Sequence, residues 1–355
     1  MNTPDIENIN VTSFAPMPTP AELHAKLPLS ESAFDTVSRG REALRNIIDR
    51  KDQRLFVVVG PCSIHDPVAG LDYARRLKAL QEEVKDTMLL VMRVYFEKPR
   101  TTTGWKGYIN DPYMDDSFKV NEGMEKARQF LLDVCELGLP TATEALDPIS
   151  PQYLGDLIAW TAIGARTTES QTHREMSSGL STPVGFKNGT DGGVGVASDA
   201  MRSAAHPHRH FGVDSQGHPA IIQTPGNPDT HLVLRGGHRG PNYDRDSVAR
   251  VNSDLIKLKI PARIMVDCSH ANSGKDPLRQ PAVFNDVLEQ RLQGDRSLIG
   301  MMIESHLFEG CQSLGPSMRY GVSVTDGCLG WSATELLLRQ ATDRLRARNR
   351  DQQSA

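Results

Sequence analysis

Short apolar segments alternate with amphipathic segments along the chain from residue 54 onward. The apolar segments have the length and composition of buried strands, and the segments between them have the period of helices. The predicted strands start near residues 55, 88, 139, 161, 184, 231, 263 and 298. Eight such βα units favour an α/β fold of the closed (β/α)8, or TIM, barrel type, with an open doubly wound sheet as the alternative. The first strand is followed by neither a G-x-G-x-x-G sequence nor a P-loop, which disfavours the nucleotide-binding form of the open sheet.

The predicted helices lie between these strands, and one further element interrupts the alternation. The helices cover residues 67–85, 121–137, 151–159, 170–180, 194–205, 246–257 and 280–293, with a closing helix over 332–348. A weakly alternating stretch broken by Gly212 and Gly217 predicts a β-hairpin inserted into the barrel at about residues 207–224.

Residues 1–50 differ from the rest of the chain and predict an arm and a helix that precede a barrel of residues 51–355. The stretch through Pro20 has no strong hydrophobic period, whereas residues 31–50 have the pattern of an amphipathic helix. The expected apolar face of that helix contains Phe34, Val37, Leu44, Ile47 and Ile48. An arm and a hairpin of this kind favour packing between subunits.

Composition excludes several classes of function. The net charge is −4, so no overall basic field points to nucleic acid. No apolar run approaches the roughly 18 to 20 residues that a membrane helix needs. The N-terminus lacks the basic and apolar regions of a signal peptide. The five cysteines are odd in number and scattered, which favours reduced thiols and a cytoplasmic protein.

Six cations follow the predicted strands, at the ends that meet at the mouth of a barrel, where active sites of this fold lie. They are Arg93, Lys98, Arg100, Arg166, Lys187 and Arg235. Each alone could be an ordinary salt bridge at a strand end, but together they would repel one another without an anionic ligand. Guanidinium groups match phosphate and carboxylate groups, so the pattern predicts anionic substrates. The glycine-rich segment 186–195 is either a further anion site or a plain flexible loop.

A second set of side chains has the chemistry of metal ligands: Cys62, His270, Glu304 and Asp326. A thiolate, an imidazole and two carboxylates suit a divalent transition metal such as Mn, Fe, Co or Zn. Ligands on separate strand ends would leave a coordination position open for a substrate oxygen. Spacing alone is weak evidence, because Cys62 could also be a small core residue and His270 a surface histidine.

Seven segments, spread in order over essentially the whole chain, resemble one family. They are residues 60–67, 92–112, 164–192, 234–237, 266–275, 302–310 and 323–331, which include GPCSIHDP, LRGG and VDCSHANSGK. These segments resemble the class I 3-deoxy-D-arabino-heptulosonate 7-phosphate (DAHP) synthases of the feedback-regulated bacterial type. The resemblance implies a metal-dependent condensation of phosphoenolpyruvate with erythrose 4-phosphate, at the start of the shikimate pathway, by a homodimer or homotetramer.

The resemblance also implies roles for individual residues. Cys62, His270, Glu304 and Asp326 match the metal ligands. The positions that match the phosphoenolpyruvate site are Arg93, Lys98, Glu144, Ala165, Arg166, Lys187 and Arg235. Lys98, Pro99, Arg100 and Thr101 match the erythrose 4-phosphate motif, and Lys98 is the candidate proton donor or relay.

The resemblance also implies regulation by an aromatic amino acid effector. The stretch THREMSSGLS at residues 172–181 is most similar to tyrosine-sensitive relatives. Met176, Leu180 and Ser181 would line the effector pocket, with Pro151 and Gln152 at its border.

Three other functions are alternatives to this one. An 8-phosphate synthase that uses arabinose 5-phosphate would carry Lys-Ala-Asn-Arg-Ser where this chain has Lys98-Pro99-Arg100-Thr101. A non-catalytic amino-acid sensor on the same fold would have lost metal ligands, and a different metal-dependent aldolase would have no need for two anion sites.

Overall fold

Eight parallel strands close into a barrel in the computed structural model, which describes residues 6–100 and 102–353. The strands are β1 Leu55–Gly60, β2 Met88–Arg93, β3 Thr141–Glu144, β4 Trp160–Ile163, β5 Val184–Lys187, β6 His208–Val213, β7 Pro219–Thr224, β8 Thr230–Leu234, β9 Ile264–Asp267, β10 Leu298–His306 and β11 Leu329–Gly330. The barrel order is β1-β2-β3-β4-β5-β8-β9-β10, and β10 pairs with β1 to close it. The predicted (β/α)8 barrel is confirmed.

Helices connect the barrel strands and surround them. They are α1 Pro20–Lys26, α2 Glu31–Ile48, α3 Pro67–Val84, α4 Val120–Glu136, α5 Ser150–Leu154, α6 Gln171–Ser177, α7 Gly195–Ala204, α8 Arg245–Lys257, α9 Gln280–Leu292 and α10 Trp331–Gln353. Short 3-10 turns occupy Gly155–Leu157 and Pro277–Arg279. In the described part of the chain, no helix combines the length and the apolar character that crossing a bilayer requires.

The inserted hairpin and most helices match the sequence-based expectations. Strands β6 and β7 form an antiparallel pair between α7 and β8, as predicted. The helix expected over 151–159 was wrong in length, because α5 ends at Leu154 and a 3-10 turn follows it. Helix α1 was missed, although Thr19 and Glu22 form a capping box around Pro20, which is a readable start signal.

The core has two layers, because alternate residues of each strand point into and out of the barrel. Phe56 and Val58 of β1 belong to the interior cluster, whereas Val57 and Val59 pack in the layer between the barrel and its helices. The other strand residues of the interior cluster are Leu89, Val91, Ala142, Trp160, Ala162, Val233, Met265, Ile299 and Met302. The barrel is therefore a packed core and not a channel.

Helix α2 lies across the N-terminal end of the barrel. Leu44, Ile47 and Ile48 pack into the interior cluster. On the same helix, the Arg41 guanidinium donates to the carbonyls of Gly155 and Ile158, which precede β4. This helix thus closes the end opposite the mouth and leaves the mouth open. The expected place of Phe34 on the buried face was wrong, since its side chain is 57% exposed.

Gly185 on β5 occupies a position with no room for a side chain. A Cβ atom there would lie 2.5 Å from Trp160 Cζ2 and 2.7 Å from Val233 Cγ2. Gly155 offers a matched control, since its φ is −63° and a Cβ atom would meet nothing within 4 Å. We expect Gly185→Ala to lower the free energy of unfolding by about 1 to 3 kcal/mol through overpacking. Gly155→Ala should leave it nearly unchanged. Urea denaturation measures both, and equal stabilities of the two variants would contradict this account of the barrel interior.

Candidate active site

An ion pair between Arg93 and Glu304 lies at the centre of the mouth. Arg93 ends β2 and Glu304 lies near the end of β10, and these two strands flank β1. Arg93 Nη2 is 2.8 Å from Glu304 Oε1, and the side chains are 1% and 0% exposed. The second carboxylate oxygen of Glu304 accepts a hydrogen bond from Ser269 Oγ at 2.7 Å. Arg93 Nε and Nη1 donate to the Pro61 carbonyl and to the Met302 sulfur, so every polar atom of this pair has a partner, as burial requires.

The Cys62 thiol faces this pair from the loop after β1. Lys98 Nζ lies 3.1 Å from Cys62 Sγ and donates to the Cys62 carbonyl at 3.2 Å. Asp326 also lies near the thiol, with Oδ2 at 3.8 Å from Cys62 Sγ. The ligand atoms of Cys62, Glu304 and Asp326 all lie within 4.8 Å of one another. Three of the four predicted metal ligands are thus brought together by strand ends remote in sequence.

His270 lies beside this group, and its ring is in contact with a carboxylate. Its Nε2 is 3.9 Å from Glu304 Oε1, but it is not within 4.8 Å of all three other ligand atoms. Its Nδ1 is 2.9 Å from Asp267 Oδ2, which also accepts a hydrogen bond from Lys187 Nζ at 2.9 Å. A carboxylate behind a ligating histidine is the usual way to fix its ring. The φ of His270 is 55°, a strained conformation of the kind that clusters at functional sites.

The site has strongly shifted acid–base equilibria. Burial alone would raise the pKa of Glu304, but the charges of His270, Arg93 and Lys98 outweigh it and lower the pKa to about 2. Burial, followed by the charge of Glu304, raises the pKa of the Cys62 thiol. A buried thiol beside two carboxylates favours a cation, and the donor set suits a divalent transition metal. The residues present therefore fit the metal that the sequence predicts.

The remaining predicted substrate residues surround this centre at different depths. Lys187 is buried, Arg235 and Ala165 are half-buried, and Arg100 and Arg166 are exposed. Glu144 is 8% exposed, and Gly164 leaves room for its carboxylate, since a Cβ there would lie 2.1 Å from Oε1. Pro99 is half-buried, and Thr101 falls outside the described residues.

Two buried polar residues of the mouth were missed from the sequence. Asp267 holds both Lys187 and His270 and is the one charged residue of the buried strand β9, which was a usable signal. Asn188 accepts from the Arg235 amide at 2.8 Å and donates to the Gly236 carbonyl at 3.0 Å. It therefore ties the loop after β5 to the loop after β8.

A cavity of about 370 Å³ lies beside the mouth, between α5 and the loop after α6. Four of the five residues predicted for the effector pocket line it: Pro151, Gln152, Leu180 and Ser181. Met176 is not among the lining residues and is 6% exposed. Glu97 and Glu144 line the same cavity from the side of the mouth, so one wall is shared between the two regions.

A closed (β/α)8 barrel whose buried charges gather after its strands has the architecture of the barrel enzymes. The chain belongs to the DAHP synthetase I family, whose model matches residues 26–339. The resemblance noted in the sequence is thereby confirmed.

Known proteins resemble the chain over nearly its full length. It is 55% identical to the Tyr-sensitive phospho-2-dehydro-3-deoxyheptonate aldolase of Escherichia coli, over 94% of this chain and 95% of that protein. It is 53% identical to the Phe-sensitive protein of the same organism, over 96% of this chain and 98% of that one. The solved structure of the Francisella tularensis phospho-2-dehydro-3-deoxyheptonate aldolase superposes with a TM-score of 0.93 at 45% identity, covering 96% and 99% of the two chains.

Glu97 in the shared wall predicts a pH-dependent stability. Burial and the charge of Asp147 raise the pKa of Glu97 to about 8. The folded protein therefore retains this proton up to about pH 8, whereas the unfolded chain loses it near pH 4.3. The contribution of Glu97 to stability falls as the pH rises through that window and is constant above it.

We expect Glu97→Gln, which stays neutral, to become progressively more stable than the unmodified protein from pH 5 to pH 8.5, by about 2 °C or more in Tm at the upper end. The exposed Glu42→Gln variant is the control and should show no such trend. Thermal unfolding across the pH range tests this, and a constant difference between the Glu97 variant and the unmodified protein would refute it.

Proposed function

We propose that the chain is a 3-deoxy-7-phosphoheptulonate synthase, which condenses phosphoenolpyruvate with erythrose 4-phosphate in the first step of aromatic biosynthesis. The observation that carries the proposal is the convergence of Cys62, Glu304 and Asp326 within 4.8 Å, with Lys98 3.1 Å from the thiol. Family membership supports the reaction. Lys98-Pro99-Arg100 favours erythrose 4-phosphate over arabinose 5-phosphate as the second substrate.

In this reaction C3 of phosphoenolpyruvate attacks the aldehyde carbon of erythrose 4-phosphate and forms the new C–C bond. Water adds at C2 of the former phosphoenolpyruvate, and the C–O bond to phosphate breaks to release inorganic phosphate. The aldehyde oxygen takes up a proton. The carbon–carbon bond and a bond from C2 to the water oxygen form, and the bond from C2 to the phosphate oxygen breaks. One water is consumed: its oxygen becomes the C2 carbonyl oxygen, and its two protons end on the former aldehyde oxygen and on the released phosphate.

The cations of the mouth would hold two anionic substrates in attack geometry and offset their mutual repulsion. Arg166 and Arg235 are the accessible guanidinium groups for phosphate, while Lys187 is held by Asp267 at the floor. Lys98 Nζ stands beside the Cys62 thiol, where it is placed to deliver a proton to the aldehyde oxygen. The buried carboxylates and the closed lower end restrict water to the mouth.

Cys62, His270, Glu304 and Asp326 would hold the divalent metal. When bound, such a metal acts as a Lewis acid that polarises a carbonyl oxygen. Asp267 would keep the His270 ring turned toward Glu304, because its Oδ2 contacts Nδ1 on the far side of the ring.

A phosphate-release assay with both substrates tests this function. We expect EDTA to abolish turnover and Mn²⁺ to restore it, because the donor set needs a cation. Cys62→Ala should lower kcat by about 100-fold or more, since a missing ligand weakens transition-state stabilisation. Cys311→Ala is the matched control, because Cys311 is an exposed cysteine and should leave turnover unchanged.

Absence of turnover with every metal would make a non-catalytic sensor on this fold the better account. Turnover with arabinose 5-phosphate in place of erythrose 4-phosphate would instead assign the 8-phosphate synthase activity.

We further propose that the cavity beside the mouth binds an aromatic amino acid, tyrosine, as a feedback inhibitor. Its volume of about 370 Å³ falls within the range of small-molecule pockets. Arg41 and Asp156 line it with opposite charges. Arg41 donates to the Gly155 and Ile158 carbonyls and Asp156 accepts from Arg128, so an amino acid's carboxylate and ammonium groups would share these side chains. The shared wall of Glu97 and Glu144 provides a route from the effector to the residues beside Lys98.

Leu180→Trp, which fills this cavity, is expected to remove tyrosine inhibition and to preserve turnover, because Leu180 lies outside the mouth. Leu336→Trp, at a 57% exposed position on α10, is the control and should remain inhibited. Dose–response curves with tyrosine, phenylalanine and tryptophan measure the effect. A lack of tyrosine inhibition in the unmodified enzyme would exclude tyrosine as the effector.

The hairpin supports the proposal of a homodimer or homotetramer. Phe211 on β6 is 92% exposed and Ile221 on β7 is 74% exposed. Two large apolar side chains, paired across the strands, suit contact with a second copy of the chain.

A further inference from the structure

A cavity of about 600 Å³ opens at the N-terminal end of the barrel, opposite the mouth. It is bounded by the segments that precede β1, β2 and β10, which are neighbours in the barrel, and by the end of α10. The cations among its lining residues are Arg54, Lys85, Arg291, Arg296 and Arg348, and the carboxylates are Asp52 and Asp86. This end of a barrel ordinarily serves stability, so the excess of cations there needs a physical reason.

The two carboxylates of the cavity are already committed to other partners. Asp52 binds Arg54 with Nη2–Oδ2 at 2.6 Å, and Asp86 binds Arg346 at 2.8 Å. Lys85 is also paired, since its Nζ lies 2.8 Å from Glu82 Oε2. The positive charge that remains belongs to three arginines.

These three, Arg291, Arg296 and Arg348, have no carboxylate partner within residues 6–100 and 102–353. Arg291 bonds only to carbonyls, at 3.2 Å to Gln53 and 3.5 Å to Asp295. Arg296 lines this cavity and two adjoining ones. Other arginines around α10 do have carboxylates, as Arg339 has Glu83 at 2.9 Å. What sets Arg291, Arg296 and Arg348 apart is that all three line one concave site.

Arg291 shows that the arrangement costs free energy. Arg291 is 8% exposed, and burial of a guanidinium without a carboxylate partner is unfavourable. Burial, followed by the charges of Arg348 and Arg296, lowers the pKa of Arg291 to about 10, and the opposing effect of Asp295 is smaller. Positive potential is thus concentrated in a concave site on a chain whose net charge is −4.

We propose that this cavity binds a small molecule that carries two or more phosphate groups. Guanidinium groups match phosphate oxygens with paired hydrogen bonds, and three positive charges exceed the charge of about −2 that one phosphate group carries. The volume falls within the range of ligand pockets and is larger than one inorganic phosphate fills. A concave, local cluster suits a small anion better than a nucleic-acid backbone, which would need an extended basic track. The site is independent of the proposed reaction, because it lies at the other end of the barrel.

Isothermal titration calorimetry with 2,3-bisphosphoglycerate tests the proposal on the full-length, metal-loaded enzyme. Saturating phosphoenolpyruvate occupies the mouth, so heat that persists reports a separate site. We expect binding of 2,3-bisphosphoglycerate to persist. We expect 3-phosphoglycerate, with one phosphate, to bind with an affinity at least about tenfold lower, since charge-assisted hydrogen bonds are lost.

The double variant Arg296→Gln, Arg348→Gln should weaken binding about tenfold or more. Both positions are accessible and unpaired, so this variant should fold, and thermal unfolding should show it at least as stable as the unmodified protein without ligand. The matched control removes the same charge elsewhere, with Arg75→Gln and Arg202→Gln at exposed positions on α3 and α7, and should bind as the unmodified protein does.

Three results would overturn the proposal. They are loss of all heat once phosphoenolpyruvate is saturating, unchanged affinity in the Arg296 and Arg348 variant, and an equal loss of affinity in both double variants. None of these depends on turnover, so failure here is distinct from failure of the synthase assignment.

Discussion

The buried ion pair between Arg93 and Glu304 is the constraint on which the mouth of this barrel depends. It joins β2 to β10 across the end of β1, and Arg93 Nε also donates to the Pro61 carbonyl at 3.1 Å. Two fully buried charges are expensive to desolvate, and a pair that loses one member is destabilised by about 3 to 5 kcal/mol. The pair therefore persists only because Ser269 and the backbone complete its hydrogen bonds, and that completeness in turn fixes Cys62 beside Glu304.

The two ends of the barrel have different structural roles. At the lower end, α2 inserts Leu44 and Ile47 into the interior cluster and covers it. Because that end is sealed by packing, the mouth can hold charged side chains without exposing the core to water from both sides. The stability gained at one end offsets the strain and buried charge accepted at the other, including the αL backbone of His270.

Periodicity was enough to locate all eight barrel strands, since each predicted start lies within two residues of the observed one. Convergence of the strand ends in a closed barrel explains why Cys62 and Glu304 lie together, but their role as metal ligands is what the family resemblance implies and stays a prediction. Periodicity did not reveal what Asp267 contacts, although a single charge in a buried strand was a usable signal, because its contacts with Lys187 and His270 depend on three-dimensional orientation rather than on spacing. The prediction that Phe34 is buried was wrong for a related reason. Phe34 lies at the first turn of α2, and the periodic face that it shares with Val37 continues past the edge of the barrel.

The cations of the mouth and those of the lower cavity differ in the source of their anionic partners. Arg93, Lys187 and Lys98 each have an anionic or thiol partner within the protein, so their charge is held in place before any ligand arrives. In the described chain Arg166 and Arg235 lack a carboxylate partner and are more exposed, which leaves them for substrate phosphate. At the mouth, the deeper cations are therefore held by partners within the protein, and the more exposed cations are available to substrate. At the lower end Arg291 is both buried and unpaired, a combination that packing alone does not explain and that an external anion would.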